Sequence, residues 1–275
     1  MTSPSPLAHQ AEAYFRDLQK KIIAAFQSYE GHNTFDVQNW EKGPESRLQG
    51  GGTTALIRGE VFEKMGVNFS CVHGIFPEPF RKEIPGAVES EGHFWASGVS
   101  LVCHPANPHV PGVHFNIRRI ETSKGWFGGG ADLTPALPYA EDTDHFHTTL
   151  KTACDSYDPE AYARFKTWCD EYFFIPHRNE ARGVGGVFFD YLENDPEGTF
   201  AFIKHIGESF LPSYLPLVDK RHQTAFTEAQ RHTQLVKRGR YAEFNLMYDR
   251  GTRFGLQSGG NVDAILMSLP PQAAW

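Results

Sequence analysis

The sequence predicts an α+β fold: a single domain with a large, mainly antiparallel sheet and helices packed against it. Three observations lead there. Several segments carry apolar residues at helical spacing. Two others, Val113–Ile120 and Tyr241–Arg250, alternate apolar and polar residues with strand period. Helices flank runs of strands without the regular rhythm of βαβ units.

The first predicted helix covers 8–29, with Ala11, Phe15, Leu18, Ile22 and Phe26 on one stripe. The second covers 144–154. The third covers 159–174, with Asp158 as N-cap, Pro159 at its first position and a stripe of Tyr162, Phe165, Cys169, Tyr172 and Phe173. A fourth covers 197–210. A fifth covers 228–238, opened by a Thr227/Gln230 capping box and stopped by Gly239. In Val113–Ile120 the apolar side is Val113, Phe115 and Ile117, and the polar side is His114, Asn116 and Arg118. In Tyr241–Arg250 the apolar side is Ala242, Phe244, Leu246 and Tyr248, and the polar side includes Glu243, Asn245 and Asp249. Segments 52–58, 94–103, 185–190 and 262–268 are further predicted strands. Residues 1–7, with Ser3, Pro4, Ser5 and Pro6, read as a flexible lead-in.

A composition of 40% hydrophobic and 21% charged residues over 275 positions suits a globular chain with a sizeable core. The net charge of −7 argues against nucleic acid as the main partner. No apolar run is long enough for stable membrane insertion, and the N-terminus lacks a secretory signal, so the expected location is cytoplasmic. Cys71, Cys103, Cys154 and Cys169 show no CxxC spacing and read as reduced thiols.

The polar sides of the two alternating segments are rich in His, Asn and Arg, which suits the floor of a polar pocket as well as a plain exposed sheet face. The chain has 13 histidines, and imidazole is a good divalent-metal ligand. Their spacing alone fits hydrogen-bonded histidines better than a metal site. The run Trp126-Phe-Gly-Gly-Gly-Ala-Asp-Leu-Thr-Pro135 lets backbone approach a flat ligand or turn tightly. Arg182-Gly-Val-Gly-Gly-Val-Phe-Phe-Asp190 fails as a dinucleotide fingerprint, because a helix precedes the glycines and a strand follows them. It reads as a helix-to-strand turn.

Taken together, several stretches resemble the aerobic coproporphyrinogen III oxidase family. They are Ser100-Leu-Val-Cys-His-Pro105, Val113-His-Phe-Asn-Ile-Arg118, Trp126–Pro135, Glu141-Asp142 with His145-Phe-His147, Lys166-Thr-Trp-Cys-Asp170, His177-Arg-Asn-Glu180 with Arg182–Gly186, Arg238–Thr252 and Ile265-Leu-Met-Ser-Leu-Pro-Pro271. The resemblance implies an antiparallel sheet sandwiched between helices, a homodimer, and oxidative decarboxylation of two propionates of coproporphyrinogen III to vinyl groups. Molecular oxygen is then the co-substrate, and no organic cofactor is needed.

The same resemblance implies substrate contacts at Ser100, Asn116, Ile117, Arg118 and the turn Gly259-Gly260-Asn261. It implies a proton-donor role for His114, and an acid-base pair, Asp249 and Arg250, acting on the pyrrole and a propionate. It also implies a candidate divalent-metal site at His104, His114, His147 and His177; since none of the four shows a strict ligand spacing, any metal there is expected to be non-essential for turnover. Two departures stand out. Asn261 occupies a place often held by Arg, and the chain stops at Trp275 where relatives usually continue, so a cover or dimer contact made by such a segment is expected to be missing. Two other readings remain: a His-ligated metal oxygenase or hydrolase for another anionic ring compound, and a porphyrin-binding protein without catalysis. The second has no need of an Asp249-Arg250 pair.

Overall fold

The computed structural model describes residues 4–257 and 261–275. Helix α1 (Pro6–Gln27) leads into strands β1 (Asp36–Glu41), β2 (Leu48–Ile57) and β3 (Lys64–Ile75). After the short α2 (Glu78–Arg81) come β4 (His93–His104), β5 (Gly112–Glu121) and β6 (Gly125–Thr134). Then follow α3 (Ala140–Asp155), α4 (Ala161–Tyr172), β7 (Phe174–Ile175), a 3-10 turn (Pro176–Arg178), β8 (Glu180–Ala181) and β9 (Gly185–Leu192). Helices α5 (Pro196–Arg221), α6 (Glu228–Met247), α7 (Arg250–Gln257) and α8 (Val262–Leu266) complete the chain.

Among the described residues, seven strands form one sheet in the order β1-β2-β3-β4-β5-β6-β9, every neighbour antiparallel. Strict alternation gives it two unlike faces. On one, Met65, Val67, Phe69, Leu101, Phe115, Ile117, Val187 and Phe189 join the main core with α1, α3 and α5. The other carries polar side chains and glycines beneath α6, α7 and α8. The predicted α+β architecture is therefore the observed one.

The lead-in is shorter than expected. Residues 1–3 lie outside the described residues, but α1 starts at Pro6. The Ser5 hydroxyl accepts from Ala8 N and, with the Ser5 backbone N–H, donates to Glu121. That cap orders the start of the helix. The third helix begins later than expected: Asp158 shapes the preceding turn by accepting from Glu160 N, and α4 starts at Ala161.

The fourth helix runs on to Arg221 through Pro212 and Pro216. Its stripe of Ile206, Phe210, Tyr214, Leu217 and Val218 stays buried, so packing outweighs the proline cost. Pro216 has no N–H for the Pro212 carbonyl, and His145 Nε2 meets that carbonyl instead at 2.9 Å.

Two predicted strands are helices. Tyr241–Arg250 is the end of α6 and the first residue of α7, because Arg238, Tyr241, Ala242 and Asn245 are buried at helical spacing. Gly239 does not stop α6. A side chain there would collide with the Ala274 carbonyl, so this glycine lets the C-terminal residues dock. The segment 262–268 contains α8, whose Asn261 side chain caps Ala264 N. Conversely, the run Trp126–Thr134 is no tight turn but belongs to strand β6, between β5 and the edge strand β9.

Candidate active site

The antiparallel register assembles the polar face in rows. One row is Asn68, Ser100, Asn116, Gly130 and Phe188. The next is Gly66, Val102, His114, Asp132 and Gly186. On the other side lie Ser70, Gly98, Arg118 and Gly128. At Gly128 a Cβ would strike the Asp190 carboxylate and the Arg118 guanidinium, so a side chain there would push that ion pair aside. Glycines beside Asn116 and Arg118 leave a flat floor on which a planar or saucer-shaped ligand can rest.

A continuous hydrogen-bond chain crosses this floor. Arg118 donates to Asp190 Oδ2 at 2.7 Å and to Asn116 Oδ1 at 2.8 Å. That fixes the Asn116 amide nitrogen toward His114 Nε2, 3.0 Å away. With Nε2 accepting, His114 carries its proton on Nδ1 and donates to Asp132 Oδ1 at 2.8 Å. Asp132 also receives Arg182 Nη2 at 2.8 and 2.7 Å, and Arg182 Nη1 donates to Asn245.

Asp132 and Arg182 are both buried. Burial alone would raise the Asp132 pKa, but the Arg182 charge and the His114 hydrogen bond hold it below the usual range. Arg182 is also stacked among Phe173, Tyr241 and Phe244, at 3.9, 4.6 and 4.8 Å from the ring centres. The result is an oriented imidazole backed by a permanent carboxylate, the arrangement of a general acid or base with its positioning partner.

Of the other expected substrate residues, Ser100 is half-buried on this face beside Asn116. Ile117 is not on it; its side chain is fully buried in the opposite core. Asn261 caps α8, while Gly259 and Gly260 lie outside the described residues. Asp249 sits between α6 and α7, not on a strand. Its Oδ2 accepts from Thr252 N at 2.6 Å and its Oδ1 from Tyr172 OH at 3.0 Å, so it caps α7. The Arg250 guanidinium lies 5.1 Å above the Tyr172 ring, and its backbone N–H donates to the Tyr172 oxygen. Burial, then the Asp249 charge, push the Tyr172 phenol up to about 12, so it remains a donor.

The four candidate metal histidines do not converge. His104 is buried, with Nε2 at 2.9 Å from the Ser268 carbonyl, and burial drives its pKa down to about 3. His114 is held as described. His147 lies between Tyr162 OH and the Val184 carbonyl. His177 lies between Tyr248 OH and Glu243. Among the described residues no three His, Cys, Asp or Glu side chains group to hold a metal ion. These residues do not fit a four-histidine centre, because three of the rings spend both nitrogens on other partners.

Sequence reasoning missed Asp132, Arg182, Asp190 and Tyr172. Asp132, Arg182 and Asp190 sit inside the glycine motifs, and the one available signal was a charged residue within otherwise small or apolar strands. A cavity of about 30 Å³ beside His104, lined by Cys103, Val113, Arg238 and Tyr241, has room for little more than water.

A model of the coproporphyrinogen III oxidase family matches residues 10–275. The chain belongs to that family. Among curated relatives, the oxygen-dependent coproporphyrinogen-III oxidase of Rickettsia bellii is 47% identical over 273 residues, covering 96% of both chains. The enzyme of that name from Prochlorococcus marinus is 44% identical over 97% of this chain and 84% of its own. Its namesake in Rickettsia africae is 54% identical over 81% of this chain and 80% of its own. Family membership thus covers every strand of the main sheet and the whole hydrogen-bond chain from Asp190 to Asn245.

Proposed function

We propose that the chain is an oxygen-dependent coproporphyrinogen III oxidase, converting two propionates of its substrate to vinyl groups and yielding protoporphyrinogen IX for haem biosynthesis. The family match over residues 10–275 carries this reading. In each step a –CH2–CH2–COO⁻ chain becomes –CH=CH2 with loss of carbon dioxide, one proton and two electrons. The electrons go to dioxygen. An electron-rich pyrrole can react with oxygen directly, so the reaction calls for no organic cofactor.

The substrate lies over the glycine floor, where Arg118 and Arg250 take propionate carboxylates through charge-assisted hydrogen bonds. Asn116 and Ser100 line the central row. His114 moves the proton, and Asp132, kept ionised by Arg182, orients the ring. Asp249 acts by holding Arg250 and the start of α7 in place. A homodimer and a cytoplasmic location belong to the same reading; among the described residues no helix is long and apolar enough to cross a membrane.

The test is anaerobic incubation with coproporphyrinogen III, followed by admission of air and product analysis. Vinyl product only after air is the expected result; none with well-folded protein overturns the reading. Sedimentation over a range of concentrations tests the dimer, which a concentration-independent monomer would refute.

A further inference from the structure

The end of β9 breaks the alternation that rules the rest of the sheet. Phe127 pairs with Leu192 and Gly129 with Phe189, so Asp190 and Tyr191 together oppose Gly128 in a β-bulge. Without the bulge, Tyr191 would follow Phe189 into the core face. Instead it adopts φ of 54°, a left-handed conformation that disfavours any residue with a side chain, and it stays 39% exposed. Burial therefore does little to offset the strain, and a glycine or asparagine would suit the backbone better.

The surroundings point to a ligand. The Tyr191 N–H donates to Asp190 Oδ1 at 3.0 Å, and Asp190 Oδ2 receives Arg118, so the bulge is tied to the floor of the site. The Tyr191 ring lies 5.8 Å from that of Trp126, which is on the same face, only 2% exposed, with an indole N–H that finds no partner among the described residues. Arg250 is close enough for its charge to sense both Tyr191 and Asp190. An aromatic wall, two neutral donors and two arginines gather at one end of the floor.

We propose that Tyr191 is a substrate-positioning residue: its ring walls the Arg118 end of the site, and its hydroxyl, with the Trp126 N–H, donates to a propionate held there. The strained backbone places that ring where regular strand geometry would not. The proposal rests on the functional reading above.

Steady-state kinetics and thermal melts on Tyr191→Gly and Tyr191→Phe test it, with wild type and Arg118→Ala assayed alongside. Tyr191→Gly is expected to keep or raise the melting temperature while KM for coproporphyrinogen III rises at least ~10-fold. Tyr191→Phe retains the wall and loses one hydrogen bond, so its KM rises roughly 2- to 10-fold. If both variants keep wild-type KM while Arg118→Ala loses affinity, the Tyr191 proposal is overturned and the functional reading stands. If wild type makes no vinyl product, both fall.

Discussion

The two faces of the sheet are built from the same strands yet do opposite work. Phe115 and Ile117 are fully buried against α5 and its neighbours, while His114 and Asn116, one residue away on β5, are half-buried on the polar face. Most of the core face is aliphatic and aromatic, stabilising the fold through burial and close packing. On the polar face Arg118, Asn116, His114 and Asp132 are held by directional partners above a floor partly made of glycine. A strand with period-two alternation can thus keep stability and chemistry apart at single-residue spacing, and substitutions at adjacent positions should separate them.

The largest expected effect is on rate. His114→Ala should lower turnover by ~100- to 10,000-fold, the range for a lost positioned acid or base, with little change in melting temperature. A protein that melts early but turns over normally would break the contrast between the faces. Its neighbour gives the mirror experiment. Phe115→Ala should cost about 3–5 kcal/mol in denaturant unfolding, from lost burial and the cavity left behind, while the folded fraction keeps its kcat.

The third test uses pH, because His104 is a polar-face residue that is nevertheless buried. Folding holds its pKa at about 3, whereas an unfolded histidine titrates near ~6.5. Below that value the unfolded chain binds a proton the folded chain refuses, so stability falls as pH drops from about 6.5 toward 3. The slope from this group reaches at most about 1.4 kcal/mol per pH unit. His104→Gln, which can still donate to Ser268, should flatten the acid side of a stability-against-pH curve; an unchanged curve would remove His104 as its source.

The smallest effect is expected at Asp249. Removing its carboxylate uncaps α7, so Asp249→Ala should cost roughly 1 kcal/mol and slow turnover less than His114→Ala does. A ~100-fold rate loss at unchanged stability would instead make Asp249 the base that acts on the pyrrole.

Where the two elements share a period, the sequence misleads. Tyr241–Arg250 has an apolar residue at nearly every second place, but Arg238, Tyr241, Ala242 and Asn245 also make a helical stripe, and α6 takes it. Its signal is weak because Arg238 and Asn245 are buried through hydrogen bonds, to Glu63, Pro105 and Arg182, and not through apolar character. Gly239 looked like a helix stop because nothing nearby in the chain shows that residue 274 will lie against it. By contrast α1, β4, β5 and β9 were legible, since one face of each is buried along most of its length and the period survives.

By itself, the sequence determined which strands have one apolar side, where His114, Asn116 and Arg118 stand relative to that side, and, through its motifs, the family. Tertiary structure alone decided what those residues meet. Asp132 lies 18 residues from His114, Arg182 lies 50 beyond Asp132, and Asp190 lies 72 from Arg118. Such partners are chosen by the register of β5 on β6 and of β6 on β9, and by the bulge that adds a residue opposite Gly128. Local propensity carries no term for either. Register is set when β2, β3, β4, β5, β6 and β9 bury apolar residues together in one core, and the identity of each cross-strand neighbour follows from that collective fit.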